Sequence, residues 1–301
     1  MLTLQSIPRA LQFSQEQREA SHNVQNATQI VFAVHLCYNK DGDKMTQRER
    51  LLFLTKHLIG ESDRYNTIEI PSSEKELFML YRSLVNVRMP NTIDEEYLRV
   101  EDEYLENLIE ENGITRVEDL TESEPDIFLW QGDITTLRCD AIVNAANSQM
   151  LGCFVPCHTC IDNCIHTFSG IRLRMKCDEI MKKQGHEEPT GTAKITPAYN
   201  LPCKYVLHTV GPIVNGELTE NNCIQLESCY RSCLELAEKH GIKSIAFCCI
   251  STGVFGFPQK EAAEIAVKTV RRCKSETKSG IKVIFNVFKD EDRIIYENIL
   301  G

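Results

Sequence analysis

The 301-residue sequence lacks any run approaching the roughly 18 consecutive apolar residues that a membrane-crossing helix requires. Its start, MLTLQSIPRALQFSQEQREA, has no basic segment leading into a long apolar one, so no secretory signal is expected. A cytoplasmic protein with no membrane partner follows from both absences. Positive charge is also scarce. The net charge is −10, and residues 1 to 122 hold 13 basic against 22 acidic side chains, while residues 123 to 301 hold 20 against 21. Neither part offers the basic face that nucleic acids need, and Trp130 is the single tryptophan, so a nucleic-acid partner is not expected. Cysteine is nearly missing from the first 138 residues, which hold only Cys37 of the 14.

The other 13 cysteines follow, several on apolar or helical stretches rather than at regular loop spacings. In a chain without a signal peptide this implies reduced thiols and a metal site rather than disulfides. Cys223, Cys229 and Cys233 fall among Leu226, Leu234 and Leu236 on a helical pattern, and Cys248 and Cys249 sit in a strand-like run. There a thiol packs as a small hydrophobe.

Two unequal parts are expected, with a boundary at 122/123. Residues 1–122 read as mainly helical: Leu51, Leu52, Leu54 and Leu58 recur near helical spacing over 46–59. Ser72 or Ser73 with Glu76 resembles a capping box opening a helix through Val87. The segment 94–112, DEEYLRVEDEYLENLIEEN, aligns Tyr97, Val100, Tyr104, Leu105 and Leu108 on one face of an acidic helix. This part carries no chemical motif and reads as a packing layer or an acidic docking surface.

After Glu122 short β-branched runs alternate with helical patterns. Strands are expected over 127–130, 141–144, 193–196, 205–209, 244–249 and 282–287. Helices are expected over 161–184 with a break near Gly170, then 222–240, 259–272 and 290–300. Such alternation predicts an α/β fold with a mostly parallel sheet between helices, and ligands in such sheets bind at the carboxyl ends of the strands.

The loops after the strands hold the candidate chemistry. Gly132-Asp133-Ile134-Thr135 follows the first strand, where Asp133 either caps the next turn or accepts from an amino group such as that of adenine. Asn144 and Asn147 flank two alanines, a pattern that lets a sugar approach the backbone. Ser251-Thr252-Gly253-Val254-Phe255-Gly256-Phe257 leads from a strand into a helix, exposing N–H groups at a helix start to an anion. A fourth segment, LGCFVPCHTCIDNCIH over 151–166, concentrates Cys153, Cys157, His158 and Cys160. Soft and imidazole donors within eight residues suit zinc, at about 2.3 Å from sulfur and about 2.0 Å from nitrogen.

These loops and their order resemble the macrodomain family over roughly residues 123 to 301. The resemblance implies the three-layer α/β/α macrodomain fold and the binding of ADP-ribose. Asp133 and Ile134 would meet the adenine, Asn144 and Asn147 the distal ribose, and Ser251 to Phe257 the diphosphate. Ile161-Asp162-Asn163 stands where ordinary macrodomain hydrolases carry Val-Asp-Gly, which places Asp162, together with Asn147, in the catalytic positions.

The fourth segment is similar to the zinc-dependent macrodomains of microbial sirtuin-linked operons. That likeness assigns Cys153, His158 and Cys160 to Zn2+ and leaves Cys157 outside the set. Four protein ligands would make the zinc structural, whereas three leave a position open for water or substrate. The implied activity is removal of mono-ADP-ribose from modified proteins, with aspartate and glutamate esters favoured and a sirtuin-type ADP-ribosyltransferase system as a partner. A reader that binds without turnover and a hydrolase of O-acetyl-ADP-ribose are the alternatives. Cys164 and His166 read as a buried thiol and a core histidine, and His186, His208 and His240 as isolated.

Overall fold

The computed structural model describes residues 45–301, so the portion of the expected helical region before Met45 lies outside them. Three helices come first: α1 (Gln47–Gly60), α2 (Glu74–Val87) and α3 (Glu95–Glu111). Thr46 and Glu49 form a reciprocal capping box on α1, and Asp94 caps α3 by accepting from the Tyr97 N–H. The expected box on α2 does not form: Ser73 is its N-cap residue, but its side chain makes no capping bond. Leu51, Leu54, Leu77, Tyr81, Tyr97 and Leu105 from the three helices make a small core of their own, which Ile171 joins.

Two short strands, β1 (Thr115–Arg116) and β2 (Glu122–Glu124), then lead into the sheet, so the point where the composition changes lies within β2. The remaining elements are β3 (Ile127–Gln131), β4 (Leu137–Arg138), β5 (Ala141–Ala146), α4 (Ile161–Ser169), α5 (Ile171–Gln184), β6 (Ala193–Pro197), β7 (Tyr205–Val210), α6 (Glu220–Lys239), β8 (Ser244–Phe247), α7 (Gln259–Thr277), β9 (Lys282–Val287) and α8 (Asp290–Leu300). Seven strands pair in the order β2-β3-β9-β8-β5-β7-β6, parallel throughout except for the two edges. β1 and β4 form a separate two-stranded parallel ladder.

The inner strands are buried on both faces, which is why they read as apolar runs rather than alternating ones. Helices cover both faces in the three-layer arrangement expected. The strand expected through Cys249 stops at Phe247, leaving Cys248 and Cys249 in the loop that follows. Cys229, Cys233 and Cys248 are buried in the main core, with Cys223 and Cys249 packed against it. Among the described residues no helix is long and apolar enough to cross a membrane.

The helical layer meets the sheet domain at a buried carboxyl. Gly170 separates α4 from α5 at φ +85°, and a Cβ there would come within 2.8 Å of Glu101 Oε2. Glu101, fully buried on α3, accepts from the Ile171 N–H (3.0 Å), the Tyr81 hydroxyl (3.0 Å) and the Tyr97 hydroxyl (3.4 Å). Burial pushes its carboxyl up to about 7 although these donors favour the charged form. The native state therefore holds this proton more tightly than the unfolded chain does. Its contribution is greatest below the unfolded value of 4.5 and is lost as pH rises through about 7. The loss is on the order of 3 kcal/mol. Thermal unfolding should accordingly show Glu101→Gln gaining on the wild type steadily from pH 5 to pH 8; parallel curves would refute this account.

Candidate functional site

The end of β5 and the turn after it bring two of the candidate residues, Asn144 and Asn147, onto Asp162. Asn144, at the end of β5, is fully buried and donates through Nδ2 to Asp162 Oδ1 at 2.8 Å. Asn147 donates to Asp162 Oδ2 at 3.3 Å and to the Gly152 carbonyl at 3.1 Å, while its Oδ1 accepts from the Gln149 N–H. The carboxylate is thus gripped on both oxygens. Burial raises its pKa to about 7 against the Asn144 hydrogen bond. Asn144 Oδ1 is buried without a partner among the described residues, so one strong acceptor beside Asp162 is unspent.

Behind Asn144 stands His208, a histidine that no motif in the sequence connects to the site. β5 and β7 pair in a register that sets His208 opposite Asn144. Its Nδ1 lies 3.2 Å from Asn144 Nδ2, and its Nε2 lies 2.9 Å from Thr196 Oγ1. Burial drives its pKa down to about 3, so the ring is neutral and Nδ1 can accept. His166 is buried as expected, 3.6 Å from Asp162 Oδ1, and burial also holds it neutral. Gly152, at φ +80°, lies so close to the His166 ring that a Cβ would approach it to 2.7 Å.

The segment after Gly152 forms the second constellation. The donor atoms of Cys153, His158 and Cys160 all lie within 4.8 Å of one another, and Cys153 Sγ is 3.6 Å from His158 Nδ1. Cys160 is the N-cap of α4 and accepts from the Asn163 N–H at 3.4 Å. Hydrogen bonding from Cys160 and His158 lowers Cys153 to about 5, while the same pairing and burial keep Cys160 protonated. Cys157 faces elsewhere. At φ +53°, it donates its N–H to Asn86 Oδ1 (2.9 Å) and sets Sγ against Ser83 Oγ (3.1 Å) and the Met79 carbonyl (3.3 Å), all on α2.

Asp133 caps the 3-10 turn over Ile134–Thr136, with Oδ1 accepting from the Thr135 N–H and hydroxyl at 2.9 and 2.7 Å. The Ile134 side chain is buried in the main core. The 251–258 loop is narrower as a cradle than expected. Phe257 turns its ring into the core and its N–H to the Ser251 carbonyl, and the Gly256 N–H bonds to the Gly253 carbonyl. Among the described residues nothing accepts from the N–H groups of Gly253, Val254 or Phe255, just before α7 begins. Ser251 is held at φ +66° with its buried Oγ also unpartnered. Strain and unspent donors thus gather in this one loop.

The Macro domain family matches over residues 143–266. A protein-ADP-ribose hydrolase of Treponema medium is 56% identical over 261 residues, covering 85% of this chain and 100% of that protein. One from Staphylococcus aureus (strain MSSA476) is 49% identical over 254 residues, covering 84% and 95%. Among solved structures, the Trypanosoma brucei macrodomain in complex with ADP-ribose is 31% identical with a TM-score of 0.58, covering 73% of this chain and 95% of that one. The chain belongs to the macrodomain family, in the group formed by these protein-ADP-ribose hydrolases.

Proposed function

We propose that this chain hydrolyses the bond between mono-ADP-ribose and an acidic side chain of a modified protein, with a zinc ion held by Cys153, His158 and Cys160. The observation that carries the reading is adjacency: the three-donor cluster ends at Cys160, and Asp162, gripped by Asn144 and Asn147, begins the next turn. Two sulfurs and one imidazole suit zinc, and three protein donors are the number that catalytic rather than structural zinc sites use. Bound there, zinc would supply a Lewis acid at the sugar end of the cleft.

The chain's own residues do the rest. The free Oδ1 of Asn144 accepts from a ribose hydroxyl, and the Gly253, Val254 and Phe255 N–H groups receive the diphosphate at the start of α7. The second carboxylate oxygen of Asp133 is directed to the adenine amino group. Asp162 orients the attacking water or takes its proton. Water adds across the sugar-acceptor bond, releasing ADP-ribose and the free side chain. An ester of aspartate or glutamate is the easiest such bond to break, and a sirtuin-type ADP-ribosyltransferase is the source of substrate that the zinc loop's resemblance implies.

Metal analysis of the purified full chain, paired with ADP-ribose release from a protein modified on acidic side chains, tests the proposal. One zinc per chain is expected, with turnover lost on chelation and restored by added zinc. Turnover indifferent to chelation would remove the metal from the mechanism, and a zinc-loaded chain that binds ADP-ribose without turnover would be a reader.

A further inference from the structure

The 153–160 loop and the helical layer are joined through one guanidinium. Arg82 projects from α2, and its Nη2 donates to the His158 carbonyl (2.8 Å), to Asn163 Oδ1 (2.9 Å) and towards Cys164 Sγ (3.5 Å). Asn163 is fully buried and works on the other two corners of the donor cluster. Its Nδ2 donates to the carbonyls of Cys153 (3.3 Å) and Val155 (3.0 Å), and its backbone N–H donates to Cys160 Sγ (3.4 Å). One arginine and one asparagine therefore contact the main chain at Cys153 and His158 and the sulfur of Cys160.

Asn163 occupies the glycine position of the motif it resembles. A glycine would offer neither the two donors that clamp the loop nor the Oδ1 that accepts from Arg82. Neighbours on α2 reinforce it: Asn86 holds the Cys157 N–H at 2.9 Å and, through Nδ2, Thr167 Oγ1 at 3.0 Å. From α5, Arg174 donates to the Leu151 carbonyl at 2.7 Å and covers the Phe154 ring at 4.4 Å.

We propose that Arg82 and Asn163 are positioning residues that hold Cys153, His158 and Cys160 in register for a divalent cation. The inference rests on the zinc reading above. Its physical basis is loop entropy: fixing one residue's backbone costs about 1–2 kcal/mol. Three donors spread over an irregular segment would otherwise pay that cost when the cation binds. The Arg82–Asn163 pair moves part of that cost into folding by holding the segment that carries the three clustered donors. The helical layer thereby becomes part of the liganding shell rather than an appended module.

The test uses the full chain, with zinc and cobalt(II) as probes. Chelator competition should show Arg82→Ala binding zinc 10- to 100-fold more weakly, the range typical of groups that orient metal ligands. The cobalt derivative should lose intensity in its tetrahedral ligand-field bands. Arg82→Lys, which can still reach a single carbonyl, should recover part of both. Asn163→Gly should lose at least as much as Arg82→Ala, and the double variant more than either alone, because each residue holds main-chain carbonyls of its own besides the bond that joins them. Circular dichroism of the metal-free proteins separates loss of fold from loss of register. If the wild type took up neither cation, the zinc reading would fail and take this inference with it. If the wild type bound zinc and both single variants bound it equally tightly, with unchanged cobalt spectra, the positioning role would be overturned while the zinc reading stood.

Discussion

Replacing His158 with alanine should abolish stoichiometric zinc uptake and reduce protein de-ADP-ribosylation on the order of a thousandfold, equivalent to about 4 kcal/mol of transition-state stabilisation. His158 is the one nitrogen donor of the cluster, and its backbone is already held through its carbonyl by Arg82, so truncating the side chain removes a ligand without releasing the loop. The two remaining sulfurs are only half of the four-coordinate set that zinc prefers, too few to hold it alone. Cys157→Ala is the informative contrast. That thiol contacts Ser83 and Met79 on α2, so the variant should lose about 1 kcal/mol of stability and keep its zinc. Metal content by elemental analysis and ADP-ribose release, measured on the same preparations, check both. A His158→Ala protein that turned over normally without zinc would end the metal reading, and loss of zinc from Cys157→Ala would turn an open site into a closed one.

The parts of this molecule that the sequence disclosed are those whose constraints are local. β9 and α8 lie where they were expected because a strand buried on both faces must be continuously apolar and a helix must repeat near 3.6 residues. The expected break at Gly170 is present, but its reason, the approach of Glu101 from α3, is a tertiary fact. β1, β2 and β4 went unseen because ladders of two or three residues carry no periodicity.

The site divides the same way. Asn144, Asn147, Asp162 and the cysteine-histidine segment were legible as residue types in strand-end loops. His208 was not, since one histidine on an apolar strand looks like any core histidine until the β5/β7 register sets it against Asn144. Arg82 was invisible for a different reason: two of its acceptors, the His158 carbonyl and Asn163 Oδ1, lie about 80 residues downstream, and a main-chain carbonyl leaves no mark in a sequence. The narrowing of the diphosphate cradle to three N–H groups likewise depends on bonds within the loop.

Asp162→Ala should behave in the opposite way to His158→Ala, keeping its zinc while losing turnover by roughly 10²- to 10⁴-fold, the range for removing a general acid or base. Asp162 is not among the three clustered donors, so zinc content should not change. The pocket around it should also survive. Asn144 Nδ2 retains His208 Nδ1 at 3.2 Å, and Asn147 Nδ2 retains the Gly152 carbonyl at 3.1 Å, so each amide nitrogen keeps one partner when the carboxylate goes. ADP-ribose affinity, measured by calorimetry on the zinc-loaded variant, should therefore stay within a few-fold of the wild type while kcat collapses. That split separates two roles for the carboxylate. If affinity fell as far as turnover, Asp162 would be acting through the asparagines, as a brace for the ribose pocket. If affinity held and only kcat fell, its oxygens would be acting on the atom that attacks, which is the role the geometry around it supports.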